Sequence, residues 1–384
     1  MQFEFATATR IIFGVGSIKE AGRLAAQMGR QAYIITGRNV KRAAPLIDGL
    51  NANGIRFSHF SIAEEPTTDL ALAAVDQARE QECDVVIGIG GGSVLDTGKV
   101  VAALLTNSGD LLDYLEVIGS GRPLQHASAP YIAIPTTAGT GAEVTRNAVL
   151  DSPGHRVKVS MRSPFMLPQL ALVDPELTFT MPPSITASTG LDALTQLLEA
   201  FVCRQPNPLT DAVCREGLQR AARSLTKAYL DGHNADARCD MSLASLLGGL
   251  ALANAKLGAV HGFAGPLGGM YTAAHGALCA GLLPHAMDIN VKALRARTPE
   301  SQALDRYDEI ARLVTAKPNA RAADGIAWVQ DLCLQLKVPP LADHGIKDQD
   351  FAIIVDKARQ ASSMKGNPIE LTDNELLEIL QRAL

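Results

Sequence analysis

Apolar positions repeat along this chain with two different periods, and the change between them divides it. Up to about residue 180, short β-branched or fully apolar runs alternate with longer amphipathic ones. QAYIIT at 31–36 predicts a strand that ends at Gly37; 40–52 predicts a helix, 56–62 a second strand and 68–81 a helix. DVVIGI at 84–89 reads as a buried strand, followed by GGGS and a helix over about 93–105, and YIAIP at 131–135 as a further strand. This alternation predicts a parallel, doubly wound sheet covered on both faces. Residues 148–159 break the rhythm with a hairpin that turns at Ser152-Pro153-Gly154, and 171–173 is a last short strand.

Beyond Met181-Pro182-Pro183 no strand pattern persists. Helical spacing of apolar residues runs through 184–204, 209–229, 236–256, 275–290, 303–315, 320–336 and 373–384. The expected architecture is an α/β domain over 1–180 and an all-α domain over 181–384. Ligands of open α/β sheets bind at the carboxyl ends of strands, so the expected site lies in the cleft between the two domains.

Composition narrows the function. A chain of 384 residues is long for one domain, and 47% hydrophobic with 20% charged residues fits a globular protein with a large core. The net charge of −5, with no run of Lys or Arg, gives a nucleic-acid or anionic-membrane partner no electrostatic support. The six cysteines are scattered and form no C-x-x-C pair, so free thiols in a reducing, cytoplasmic setting are expected rather than a disulfide framework. The first ten residues carry Glu4 and no apolar core, and read as a mature start. Residues 257–287 contain no Asp, Glu, Lys or Arg, but hold three His, seven Gly and two Pro. That is too polar and broken for a membrane span, and is expected to line an internal site.

Three groups of residues carry candidate chemistry. Gly88-Ile89-Gly90-Gly91-Gly92-Ser93 follows a buried strand and opens a helix. Glycines admit close backbone approach, and the helix start offers N–H groups and a positive dipole end to a pyrophosphate. The run lacks the last glycine of G-x-G-x-x-G, so a tight strand–helix turn is the competing reading. A second small-residue loop, 135–143, brings Thr136, Thr137 and Thr140 to another strand end, where hydroxyls suit a ribose or nicotinamide. In the helical half, Asp192 and Gln196 lie four apart on one helix face, and His261 and His275 flank a Gly-rich stretch. An acid, an amide and two imidazoles suit a divalent first-row metal; an Asp–His hydrogen bond among core histidines is the alternative. His59, His126, His155, His233 and His344 are expected at the surface, and His285 at a helix start.

At this point the chain resembles the iron-containing (group III) alcohol dehydrogenases. The matching segments are GGGSVLDTGK at 90–99, PTTAGTGAEVT at 135–145, VDPEL at 173–177, MPP at 181–183 and GLDALTQLLEA at 190–200. HGFAGPLGGMYTAAHG at 261–276, LLPHAM at 282–287 and Asn367-Pro368 complete the set. The resemblance implies a dehydroquinate-synthase-like fold and reversible hydride transfer between NAD or NADP and a small alcohol, aldehyde or ketone. It places the pyrophosphate on Gly90, Gly91, Gly92 and Ser93. It places further cofactor contacts on Asp96, Thr136, Thr137, Thr140 and Lys158. A catalytic divalent metal, Fe2+ foremost and Zn2+ as the alternative, falls to Asp192, His261 and His275, with Gln196 beside them. It implies a homo-oligomer, commonly a dimer.

Three departures from the family pattern stand out. Gln196 occupies a usual His position and is a poorer ligand. Gly265 replaces a His often assigned to proton relay, leaving water or a substrate hydroxyl to carry the proton. Gly37 replaces an Asp common in NAD-preferring members and is followed by Arg38, which suits a 2′-phosphate and predicts that NADP is accepted. Gln196 also raises a metal-independent, maleylacetate-reductase-like activity as a rival. Decay of both His positions raises a cofactor-binding protein without turnover.

Overall fold

The computed structural model describes residues 2–63, 65–155 and 157–384. The chain falls into two compact units, Ala6–Phe179 and Thr180–Leu384, and the N-terminal residues up to Phe5 go with the second.

The first unit is built on a six-stranded sheet. Its strands are β1 (Arg10–Phe13), β2 (Gln31–Gly37), β3 (Arg56–Ile62), β4 (Val85–Gly90), β5 (Tyr131–Pro135) and β8 (Leu170–Val173), in spatial order β1-β8-β5-β4-β2-β3. Every pairing in it is parallel. Strand residues alternate between faces. Tyr33 and Ile35 of β2 therefore join one apolar core, and Ala32 and Ile34 the other. The first core is closed by α3 (Thr68–Glu80) and α4 (Gly92–Thr106), the second by α1 (Ala21–Ala25) and α2 (Ala44–Ala52). The short α5 (Leu111–Tyr114) follows α4. β6 (Asn147–Ser152) and β7 (Val157–Arg162) form the separate antiparallel hairpin, longer than the sequence pattern suggested. β2 and β4 are neighbours, yet the helices that follow them cover opposite faces. That divergence is the switch point at which doubly wound sheets take ligands.

The second unit contains α6 (Pro183–Val202), α7 (Pro208–Leu230), α8 (Ala235–Asn254), α9 (Ala259–Met270), α10 (His275–Arg297), α11 (Gln302–Thr315), α12 (Ala322–Gln335), α13 (Phe351–Gln360) and α14 (Asp373–Ala383). α6 packs against α7, α8 and α10. It is buried almost all round, as an internal helix should be.

Several expectations need correction. β1 was not expected, nor were α9 and α13. The Gly-rich stretch after His261 is not a loop: it is the body of α9, with Pro266 inside the helix, and only 271–274 connect it to α10. His285 lies in mid-helix in α10 behind Pro284 rather than at a helix start. His59 and His344 are half-buried rather than exposed. His59 sits 2.8 Å from Thr36 Oγ1, and burial lowers its pKa. Among the described residues no single helix is long and apolar enough to cross a membrane. α8 and α9 reach that length and composition only together, across a 95° bend.

Candidate active site

In the α/β unit, β4 delivers Gly90 to the carboxyl edge of the sheet. Gly91 is extended (φ −78°, ψ −173°) and caps α4 with no side-chain hydrogen bond. The start of a helix of 15 residues thus meets its surroundings through backbone N–H groups, a setting suited to an anion. The second loop lies directly against it. Thr136 N–H donates to Gly90 O at 2.9 Å. A Cβ placed on Gly91 would stand 3.4 Å from Thr137 Cγ2, and one on Gly92 3.0 Å from Thr140 Cγ2. Larger residues at 91 and 92 would push the threonine loop away. Ser93, Thr137 and Thr140 stay partly accessible, and Thr136 is buried. Gly37 ends β2 on the same sheet edge, and a Cβ there would have its nearest neighbours at 4.0 Å. Arg38 is exposed and donates from Nη2 to Ala63 O at 3.3 Å.

Two expected cofactor residues make hydrogen bonds within this unit. Asp96 accepts from Lys99 Nζ at 3.1 Å and from Val149 N–H at 3.0 Å, so it ties α4 to the hairpin. Lys158 bonds Glu65 at 2.8 Å. The fully buried Lys99 also donates to Thr145 Oγ1 and Asn147 O, at 2.8 and 2.7 Å. Glu143, buried nearby, is pushed up to about 7 by burial, against the pull of Lys99.

In the helical unit, α6, α9 and α10 bring four potential donors together. Asp192 comes from α6, His261 from the first turn of α9, and His275 and Cys279 from one face of the first turns of α10. Their ligand atoms all lie within 4.8 Å of one another. His261 Nε2 is 3.4 Å from Asp192 Oδ1, His275 Nε2 is 3.9 Å from the same oxygen, and Cys279 Sγ is 3.6 Å from His275 Nε2. The two imidazole rings are 5.4 Å apart at 52°. Gln196, also expected among the ligands, lies one turn after Asp192 on α6 and is buried. Its Oε1 lies against α8, where a Cβ on Gly248 would be 3.0 Å away.

Sequence reasoning missed two members of this arrangement. One is Cys279, four residues after His275. The other is Glu199, seven after Asp192 on the same helix face. Glu199 accepts from Val260 N–H at 2.7 Å and from His261 N–H at 3.4 Å, and its Oε2 sits 2.7 Å from His261 Nδ1. A carboxylate thus supports the start of α9 and turns His261 Nε2 toward Asp192, the outer-shell pattern of metal-bound histidines. Asn367 Oδ1 accepts from Ala259 N–H at 3.1 Å, which gives the Asn367-Pro368 motif a role in seating the same helix.

Asp192 and His261 are 2% and 8% exposed, yet Asp192 Oδ1 and His261 Nε2 have no hydrogen-bond partner. Buried polar atoms left so are costly and call for an explanation. Burial opposes charge on His261, but Asp192 and Glu199 outweigh it and hold its pKa at about 9. Burial likewise works against ionised Asp192, but His261 and His275 keep its pKa below the ordinary carboxylate value. One acid and two imidazoles aimed at a common point fit a divalent cation. Gly265, one turn after His261, has nothing within 4 Å of an added Cβ.

The chain matches two family models: "Iron-containing alcohol dehydrogenase" over residues 8–175, and "Fe-containing alcohol dehydrogenase family, C-terminal" over 186–384. It is 34% identical to alcohol dehydrogenase 4 of Schizosaccharomyces pombe, with 97% of this chain and 87% of that one aligned. A crystal structure of 1,3-propanediol oxidoreductase superposes with a TM-score of 0.93 at 31% identity and full coverage of both chains. Sulfoacetaldehyde reductase from Bifidobacterium kashiwanohense, solved with NAD+, gives 0.88 at 28% identity, covering 100% of this chain and 99% of that one. The protein is a member of the iron-containing alcohol dehydrogenase family of oxidoreductases.

Proposed function

We propose that this alcohol dehydrogenase interconverts a small alcohol and its aldehyde or ketone with NAD or NADP, and that Asp192, His261 and His275 hold the divalent cation it needs. The observation that carries the reading is the convergence of these three donors around buried atoms that lack hydrogen bonds. The names of the relatives, an alcohol dehydrogenase, a 1,3-propanediol oxidoreductase and a sulfoacetaldehyde reductase, support an alcohol or aldehyde as substrate. The same cluster speaks against a metal-independent reductase, and nothing in the relatives favours a protein without turnover.

When bound, the cation supplies Lewis acidity at the substrate oxygen. The chain's own residues do the rest. Glu199 fixes the His261 tautomer with Nε2 facing the cluster. Gly90, Gly91, Gly92 and Ser93 take the pyrophosphate at the start of α4, and Thr136, Thr137 and Thr140 contact the rest of the dinucleotide. Asp96 and Lys158 act indirectly, by holding the hairpin. With glycine at 265, the proton passes to water. Fe2+ is the metal we assign, on family likeness. Six free cysteines suit a cytoplasmic setting, and a homodimer is the assigned assembly, again on family likeness.

Gly37 and Arg38 leave the ribose end without a carboxylate and with a guanidinium beside it, so NADP is accepted. Gly37→Asp fits the space available and raises the ratio of kcat/KM for NAD over NADP; an unchanged ratio contradicts the assignment. The main test is metal removal. Stripped protein loses turnover, retains nicotinamide binding and recovers with Fe2+. Full activity after complete removal contradicts the metal-dependent reading.

A further inference from the structure

Cys279 has no part in the reading so far, yet its sulfur stands among the three donors. We infer that Cys279 is a fourth protein ligand of the cation, making the site an Asp-His-His-Cys set with soft, thiolate character. The inference rests on the metal site assigned above and deepens it.

Geometry carries it. A tetrahedral ion with nitrogen or oxygen donors at about 2.0–2.1 Å and sulfur at about 2.3 Å spaces its donors roughly 3.3–3.6 Å apart. Three of the six separations are 3.4 Å for His261 Nε2 to Asp192 Oδ1, 3.6 Å for Cys279 Sγ to His275 Nε2, and 3.9 Å for His275 Nε2 to Asp192 Oδ1, and the others lie within 4.8 Å. Cys279 is fully buried. It follows His275 by four residues in α10, so the helix itself holds imidazole and thiol on one face. The amide that replaces a usual imidazole, Gln196, has its Oε1 against Gly248 of α8. An amide is a weaker donor to such an ion than an imidazole, and a thiolate is a stronger one.

Binding forms a sulfur–metal bond as the thiol proton leaves to solvent, with no change of oxidation state. A thiolate shifts preference toward Zn2+ over harder ions of the same charge such as Mn2+. A fourth protein donor also still permits catalysis if the ion expands to five-coordinate when substrate binds.

The test uses the full-length protein, stripped with a chelator and loaded with Co2+. One cobalt per chain is expected, with visible ligand-field bands and an intense near-ultraviolet sulfur-to-cobalt charge-transfer band. Cys279→Ser keeps the ligand-field bands and loses the charge-transfer band, while Cys333→Ser keeps both. Zinc affinity of Cys279→Ser falls by at least about tenfold, the lower range for losing even an outer-shell partner. Should Cys279→Ser fail to fold, X-ray absorption of the wild-type zinc form decides, through a sulfur scatterer at about 2.3 Å. Cobalt bound in wild type without the charge-transfer band, or a band that survives in Cys279→Ser, overturns thiolate ligation and leaves the cation site standing. No cobalt uptake overturns both.

Discussion

The glycine loop of the α/β unit and the donor cluster of the helical unit are built in opposite ways. The first is backbone: contiguous residues, small side chains, and a helix start without a cap. The second is side chain: four residues from three helices, spread over 88 positions of sequence from Asp192 to Cys279. A backbone site fails when something is added, and a side-chain site fails when something is removed.

That contrast predicts opposite signatures for paired mutants, and these are the largest effects expected. Asp192→Ala or His261→Ala removes a ligand. Metal content falls sharply and kcat/KM drops by about three orders of magnitude or more, matching the several kcal/mol that a Lewis acid supplies, while nicotinamide affinity changes by less than about threefold. Gly92→Val does the reverse. Its branched side chain meets Thr140 and displaces the threonine loop, so nicotinamide binding weakens by about tenfold or more with metal content unchanged. Atomic emission and fluorescence titration read the two arms. A ligand mutant that keeps its metal, or a loop mutant that loses it, breaks the comparison.

Next in size is the contrast between two buried carboxylates. Asp192 has imidazoles that favour its charge, whereas burial pushes Glu143 up to about 7. The folded pKa of Glu143 lies above its unfolded value of 4.5, so the folded state holds the proton more tightly. Its contribution to stability is therefore fullest below pH 4.5, falls as the pH rises to about 7, and is flat above. Glu143→Gln removes that slope. It matches wild type at pH 4 and exceeds it at pH 8 by up to about 3 kcal/mol, at roughly 1.4 kcal/mol per pH unit. Denaturant melts at the two pH values measure this, and an equal difference at both contradicts the burial of a charged Glu143.

Smaller effects sharpen the picture within the helical unit. A Cβ on Gly276, next to His275, would stand 2.4 Å from Ser188 O, so Gly276→Ala costs about 1–3 kcal/mol of overpacking and loosens metal binding. Gly265 faces open space, so Gly265→Ala gains about 0.5–1 kcal/mol through helix propensity. Thermal melts that rank these two the other way contradict the packing described around α9 and α10.

The same contrast explains what could be read from the sequence. β4, its glycines and α4 were legible because one contiguous run specifies them. Asp192, His261 and His275 could be proposed, but their approach within 4.8 Å depends on how α6, α9 and α10 pack. α9 was hidden by its own composition: Gly262, Gly265, Pro266, Gly268 and Gly269 all argue against a helix. Glu199 and Asn367, distant in sequence, support its start and override that propensity. β1 is only four residues long at the sheet edge and gives too little pattern to register. By contrast, α13 carries a readable spacing at Phe351, Ile354, Val355 and Ala358, and Cys279 shares a helix face with His275. Both signals were present in the sequence.

The central claim is a cation held by Asp192, His261 and His275. Crystals of the protein grown with Fe2+ or Zn2+, measured at the metal's absorption edge, test it most directly. The account predicts one strong anomalous peak per chain, at about 2.0–2.2 Å from Asp192 Oδ1 and the Nε2 atoms of His261 and His275. A metal-free cluster in active crystals, or a peak away from these three residues, would contradict it.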